Sequence, residues 1–546
     1  MEKTVTEYLK FLKCPISERY LKKRIASHPD YPSILAVADS LQQLGIPYTV
    51  ARANKENLGT LPLPVLLHLD EAGGSLLPIY NEKELERTRE KLNHWSGVLI
   101  KAEPITGIAD RENSKVLEEE KRYKGFSTVL IFAVIGLITF PLMVSFSWVQ
   151  LILLTTALAG VVTGYFLFAK DLGITYLAVE SFCNAGTGAG CGKVLSSNEG
   201  KLFGFITFSD LTLGYFATQL IAVGLIVPIW AGSTLLTVLG WLSIFTIPII
   251  GYSLWLQAVK IKEWCRLCLV VSGVLAMQAF IFGYFFYSGL LNPVAVTISE
   301  AIIMLFLFSL VGSSLLLLKQ TVQQKNRAVQ NEIAAARLKN SPEVFTSLLF
   351  RQRQVDTSSF KYDFLIGSPD ASIKLTMAVN LYCGPCKNEL EHAKELLEIY
   401  PGQVNLSLRF LKSGDGGETS SLLLQNWLQK MRDRSNGLPE GQTLIEAWYE
   451  VMDAEKFADS HPVNGEVTDT EADEYLKAHY GWVKDAEITK TPTNFMNGYE
   501  LPAAYRVKDL KALIPGLGEV FSDQSAMNKA KVSSENAKIS ENQTNV

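Results

Sequence analysis

Between Phe126 and Lys319 the chain runs through long apolar stretches with few charges, which excludes an ordinary water-soluble fold for its middle third. A helix crossing roughly 30 Å of hydrocarbon needs about 20 mostly apolar residues. Six runs meet that length, at 127–146, 149–169, 211–231, 234–258, 267–289 and 297–318. Only Ser145-Phe146-Ser147-Trp148 separates the first two, so they read as a tight helical hairpin; one continuous helix would be twice as long as a crossing requires. A first run that starts this far into the chain is not a secretory signal. Six spans place both flanks on the same side of the bilayer. The flanks themselves have soluble composition. With 48% apolar and 19% charged residues the bulk of the chain is not disordered, and a net charge of -4 argues against a nucleic-acid binder.

The connections near 145–148, 232–235 and 290–296 contain no Lys, Arg, Asp or Glu. Every charged loop, and every pair of cysteines, therefore lies on the opposite face. The positive-inside rule places that face in the cytoplasm. Disulfide chemistry places it in an oxidising compartment such as the periplasm. The uncharged loops anchor neither orientation, and the redox argument sets the expectation.

Six of the seven cysteines fall in close pairs. Cys265-Arg266-Leu267-Cys268 stands where the fifth apolar run begins, and a CxxC at a helix N-terminus is a redox arrangement, because the helix dipole and free N–H groups favour thiolate. Cys183 and Cys191 flank Asn-Ala-Gly-Thr-Gly-Ala-Gly, a loop pattern that suits a thiol pair meeting two partners in turn. Four thiolates from these two pairs are also the donor set of a zinc site, although the seven-residue spacer is long for one. No metal is expected. Cys383-Gly384-Pro385-Cys386 follows the strand-like run 374–381 and precedes a helical pattern over 387–400, the order of a thioredoxin-like active site. Thr491-Pro492, before Phe495-Met496-Asn497-Gly498-Tyr499, fits the proline that faces such a CxxC and offers backbone to a substrate; a turn proline is the plainer reading. The stretch 405–485 reads as a charged helical insertion.

With its loop cysteines, the following Val194-Leu195-Ser196-Ser197 and the membrane CxxC, 149–290 resembles the vitamin K epoxide reductase family, and 360–520 is similar to the thioredoxin-like domain to which bacterial members are fused. The resemblance implies a four-helix redox core that passes electrons from thiols to a quinone, menaquinone or ubiquinone. It makes Cys265 and Cys268 the quinone-side pair with Cys268 nearest the ring, Cys183 and Cys191 the shuttle, and Cys383 and Cys386 the substrate-side pair. Ser197 matches a family serine near the redox centre, or else caps a helix. Ser209 and Asp210 fall where polar groups meet the quinone, and Asp210 at a helix mouth is also a cap. The first apolar run is additional to the five spans of bacterial fusions.

The N-terminal 1–105 resembles the cysteine peptidase domain of bacteriocin-processing exporters. No Gln precedes Cys14, Gly73-Gly74-Ser75 stands where the catalytic His belongs, and His68 lies one strand early. A nucleophile without its base and oxyanion donor loses most of its activation, so the domain reads as a degenerate, peptide-binding version with Cys14 a buried thiol.

The expected architecture is a multi-domain membrane protein: a degenerate α+β papain-like domain over 1–105, a linker over 106–125, an α-helical transmembrane bundle over 126–319, a helical linker over 320–359, an α/β thioredoxin-like domain over 360–520 and a disordered tail over 521–546. The expected function is a thiol:quinone oxidoreductase of the bacterial inner membrane that oxidises exported thiol proteins or peptides, with the thioredoxin-like domain periplasmic. The alternatives are the same path run as a disulfide reductase, or a peptide-maturation accessory whose N-terminal domain binds leader peptides.

Overall fold

The computed structural model describes residues 1–54, 59, 61–70, 75–108, 110–144, 147–174, 176, 179, 182–183, 201–202, 206–230, 233–358, 363–411, 416–432, 441–463, 469–518 and 520–521. Two compact units emerge: Met1–Glu119 with Glu332–Val546, and Glu120–Asn331.

The first unit opens with helices Glu2–Phe11, Glu18–Ala26 and Ile34–Gln43. The chain breaks between the first two. Lys13 adopts a φ of +58°, Pro15 has no N–H to donate, and Ser17 caps the next helix by accepting the Tyr20 N–H. Four antiparallel strands follow, β1 (Tyr48–Arg52), β2 (Val65–Leu69), β3 (Ser75–Ile79) and β4 (Trp95–Ala102), in the order β1-β4-β2-β3. The helices bury Val5, Leu9, Leu21, Ile25 and Leu41 against Leu66 and Ile100 of the sheet. Cys14 is buried in this apolar layer, while His68 bonds to Ser96 and His28 to Asp39. The connector 106–125 is not loose. Helix Arg111–Val144 runs through it, and the buried Asn113 accepts the Ser17 N–H at 2.9 Å.

Among the described residues, six helices are long and apolar enough to cross a membrane: Glu112–Pro141, Trp148–Asp171, Phe208–Ile229, Thr234–Ile261, Arg266–Tyr287 and Ile298–Lys339. The middle four pack around Leu153, Leu220, Leu239 and Phe282. Small residues let them approach: a Cβ on Gly160 would fall 2.2 Å from the Phe216 ring, and one on Gly240 would fall 2.7 Å from Phe286. Within the bundle Gln278 donates to Thr156 and to Gln219, both at 2.9 Å, so its buried amide is satisfied across three helices. A short pair, β5 (Lys201–Leu202) and β6 (Ile206–Thr207), leads into helix Phe208–Ile221.

The thioredoxin-like part of the first unit contains β7 (Phe364–Gly367), β8 (Ile373–Val379), β9 (Val404–Phe410), β10 (Thr493–Met496) and β11 (Tyr499–Glu500), ordered β11-β10-β8-β9-β7 with β8 and β9 parallel. The helical reading of 405–485 is corrected at its start, because β9 pairs on both edges and is buried throughout. Its charged residue is tolerated there because Arg409 is fully buried with Asp363 at 3.0 Å. Helices Gly416–Arg432, Gly441–Val451, Ala454–Ser460 and Asp469–Asp485 then fill the interval before β10. Phe521, read as the start of the tail, is buried against Phe350; the residues beyond it lie outside those described.

Candidate functional site

The CxxC of the thioredoxin-like part sits where β8 ends and helix Gly384–Ile399 begins, with Cys383 as the N-cap residue. Pro385, in the first turn, lacks an N–H at a position that needs none. Cys386 is fully buried and Cys383 is half-buried, its Sγ 3.6 Å from the carbonyl of Thr491. The Thr491-Pro492 bond is cis, and the Thr491 carbonyl lies beside Cys383. The two thiols differ sharply. Burial pushes Cys383 up, but hydrogen bonds from Cys386 and the Thr491 side chain, with the Cys386 backbone N–H, outweigh it and hold Cys383 below the ordinary thiol value. Burial, reinforced by the bond to Cys383, pushes Cys386 up to about 12. Near neutral pH Cys383 is therefore the readier thiolate, and Cys386 keeps its proton.

Residues that the sequence reading missed hold this turn. Trp448 Nε1 donates to the Leu381 carbonyl at 3.0 Å, Tyr449 Oη donates to the Asn380 carbonyl at 3.3 Å, and the Tyr382 hydroxyl pairs with Thr419 at 2.7 Å. All three partners come from the helices between β9 and β10, so that segment braces the loop that aims Cys383.

In the membrane unit, Cys265 caps helix Arg266–Tyr287 through its own sulfur, which accepts the Cys268 N–H at 3.4 Å; the two Sγ atoms lie 2.8 Å apart. The preceding helix ends in a π-helical stretch, Leu256–Ile261, whose wide turn places the buried Gln257 amide at the active end. Gln257 Oε1 accepts the Cys265 N–H at 2.8 Å, and its Nε2 donates to the Ser253 carbonyl at 3.2 Å. Cys183 is buried in one apolar cluster with Cys265, Leu167, Phe216 and Val271, and Arg266 donates to the neighbouring Phe182 carbonyl at 3.0 Å. The structure thus brings Cys183 to the membrane CxxC. Cys191 and Ser197 lie outside the described residues.

Cys268 also lines a mainly apolar pocket with Leu167, Phe208, Ile249, Val271 and Leu275, and its polar wall is made by Thr207, Ser209, Ser253 and Ser272. Ser209 is therefore part of that wall. Asp210 sits behind it, accepting the Thr207 N–H at 2.8 Å in a capping box and pairing with Lys319 at 2.7 Å. Lys319 is buried, although the sequence places it where the apolar run gives way to the polar connector. Among the described residues no His, Cys, Asp and Glu groups gather as metal ligands.

Residues 151–282 match the family model of the Vitamin K epoxide reductase family, and residues 359–515 match that of Thioredoxin. No curated protein matches the chain. Similar solved structures include a periplasmic thioredoxin-like protein from Salmonella enterica serovar Typhimurium, 13% identical, covering 32% of this chain and 97% of that one, with a TM-score of 0.24. The catalytic domain of Proteus mirabilis ScsC is 18% identical over 33% of this chain and 98% of its own, with a TM-score of 0.22. BdbD from Bacillus subtilis is 15% identical over 31% of this chain and 96% of its own, with a TM-score of 0.24. The two family matches give the chain a vitamin K epoxide reductase domain in its apolar bundle and a thioredoxin-like domain after it, and the protein that carries both is a multi-pass thiol-disulfide oxidoreductase.

Proposed function

We propose that the protein moves electron pairs from exported dithiols to a membrane quinone, menaquinone or ubiquinone, and so drives disulfide formation. A substrate thiolate attacks the Cys383–Cys386 disulfide at Cys383, and the second substrate thiol resolves the mixed disulfide. The substrate leaves oxidised and Cys383 and Cys386 leave as thiols. The reduced pair passes two electrons and two protons to the Cys183–Cys191 disulfide by the same exchange, and that pair passes them to Cys265–Cys268. Oxidation of Cys265 and Cys268 to a disulfide then releases two electrons and two protons, the number needed to convert quinone to quinol.

The observation that carries the reading is the placement of Cys268, which bonds to Cys265 on one side and walls an apolar pocket on the other. Apolar walls with a few hydroxyls suit a ring bearing two carbonyl oxygens. Thr491 and Pro492 supply backbone beside Cys383 to an extended substrate. The oxidative direction is supported by the lowered Cys383 thiol, since stabilising the reduced form as thiolate makes the disulfide a stronger oxidant. That direction favours a bacterial inner-membrane protein with its thioredoxin-like domain in the periplasm and 1–105 on the same side as a degenerate peptide-binding domain. Replacing Cys386 by Ala removes the resolving thiol, so cells carrying it should accumulate mixed disulfides between Cys383 and exported proteins, and between Cys383 and Cys183 or Cys191. Alkylation of Cys383 by a membrane-impermeant reagent in intact cells fixes the side. Mixed disulfides with cytoplasmic proteins alone would overturn the proposal.

A further inference from the structure

The ammonium of Lys319 lies buried within reach of four oxygens: Asp171 Oδ2 at 2.6 Å, Asp210 Oδ2 at 2.7 Å and Oδ1 at 3.0 Å, and Thr207 Oγ1 at 3.0 Å. Hydroxyls thread the cluster. Thr207 Oγ1 is 3.0 Å from Asp171 Oδ2 and 2.6 Å from Ser209 Oγ, which is itself 3.2 Å from Asp171 Oδ2. Thr207 and Ser209 are also part of the polar wall of the pocket that Cys268 lines. The cation is not part of the matched domain. It comes from helix Ile298–Lys339, beyond residue 282 where the family match ends.

We propose that Lys319 is a positioning residue of the pocket beside Cys268. By holding Asp171 and Asp210 together it fixes the hydroxyls of Thr207 and Ser209 in the pocket wall, and so sets how tightly a quinone ring is held there. This rests on the reading of that pocket as the quinone site. The physics is that of buried charge. Asp171 ends helix Trp148–Asp171, and Asp210 lies in the first turn of helix Phe208–Ile221. One ammonium between them leaves a single net negative charge; without it the partly buried Asp171 carboxylate and the buried Asp210 carboxylate share the same hydroxyls and repel. Their separation would drag Thr207, which caps helix Phe208–Ile221 and receives the Lys319 hydrogen bond, and with it Ser209. None of the hydrogen bonds described for the cluster goes to Cys265 or Cys268; Gln257 and Cys268 are among the partners of Cys265. Ring binding should therefore weaken while the electron-transfer step keeps its rate.

The test uses the full chain in detergent, with dithiothreitol as electron donor and short-chain ubiquinone and menaquinone analogues as acceptors. Lys319→Met should raise the quinone KM about tenfold or more with kcat held within about twofold, the split expected when binding is lost and chemistry is kept. Lys319→Arg, which keeps the cation, should stay within about threefold of the wild-type KM. Lys319→Met combined with Asp171→Asn restores one net negative charge and should recover much of the loss. If Lys319→Met alone does not fold, this double variant carries the test. A wild-type KM in Lys319→Met, a fall in kcat with no change in KM, or a double variant with a KM raised as far as the single one overturns the proposal. Wild-type protein that exchanges thiols at Cys383 but reduces neither analogue removes the quinone reading itself, and this proposal with it.

Discussion

Gln257 offers the most quantitative test of how the membrane CxxC is held. Its carbonyl is the acceptor for the buried Cys265 N–H at 2.8 Å, and its amide nitrogen is anchored on Ser253. Gln257→Met keeps the length of the side chain and removes both functions. A buried N–H left without its acceptor costs about 1–3 kcal/mol. If that cost falls on the barrier of the step through Cys265, turnover drops by a factor of about 5 to about 150. The assay is dithiol-driven quinone reduction by the full chain in detergent, with exchange at Cys383 measured separately by mixed-disulfide formation. Quinone reduction should fall within that range while exchange at Cys383 stays at wild-type rate. Gln257→Glu, which keeps an acceptor oxygen, should retain more activity. A Gln257→Met protein with wild-type quinone turnover and wild-type melting would refute the claim that this amide positions Cys265.

In reduced protein, the rate of Cys383 alkylation should rise through a midpoint below that of an ordinary thiol, with Cys386, pushed up to about 12, unreactive at neutral pH; equal labelling of the two in a mass-spectrometric time course contradicts this. Asp110 joins the N-terminal part to the thioredoxin-like part through Tyr20 at 2.7 Å and Lys511 at 3.3 Å, and although burial pushes its carboxyl up, Lys511, Tyr20 and Arg24 outweigh that and hold it below the ordinary value. Because the folded value is the lower one, its contribution is complete above the ordinary carboxylate value of about 3.9 and is lost as pH falls through the folded one. Asp110→Asn should be less stable at pH 7 and lose part of the wild-type acid sensitivity below about pH 4, read by melting at each pH. Gly160→Leu drives side-chain atoms into the Phe216 ring and should cost about 1–3 kcal/mol or prevent bundle assembly, whereas Gly136→Leu, whose Cβ meets nothing within 4 Å, should melt like wild type.

What the sequence made legible follows from how local the signal is. Apolar length alone located the helices, because crossing a bilayer is a demand on consecutive residues. The strand, CxxC and helix order pointed to Cys383 and Cys386 for the same reason, and Thr491-Pro492 was singled out because a fold expectation said where to look. Single polar residues carried no such signal. Gln257 reads as an interruption in an apolar run until the π-helical turn aims it at Cys265. Lys319 stands at the end of an apolar run, where a lysine reaching toward the interface and one buried between two carboxylates look identical in sequence. Trp448 and Tyr449 fit a helical pattern as core residues, and their bonds to the Leu381 and Asn380 carbonyls exist only once the chain has folded back. The strand β9 was hidden by Arg409, whose charge marks a solvent face unless its partner Asp363, 46 residues earlier, is known to be beside it.

The central claim, that electrons leave the protein through Cys268, is tested most directly by following quinone absorbance after mixing dithiol-reduced protein with a short-chain quinone in a single turnover. Wild-type protein should consume quinone as Cys265 and Cys268 become disulfide-bonded. Cys268→Ala should consume none while still exchanging thiols at Cys383. Quinone consumption by Cys268→Ala at the wild-type rate would contradict the account.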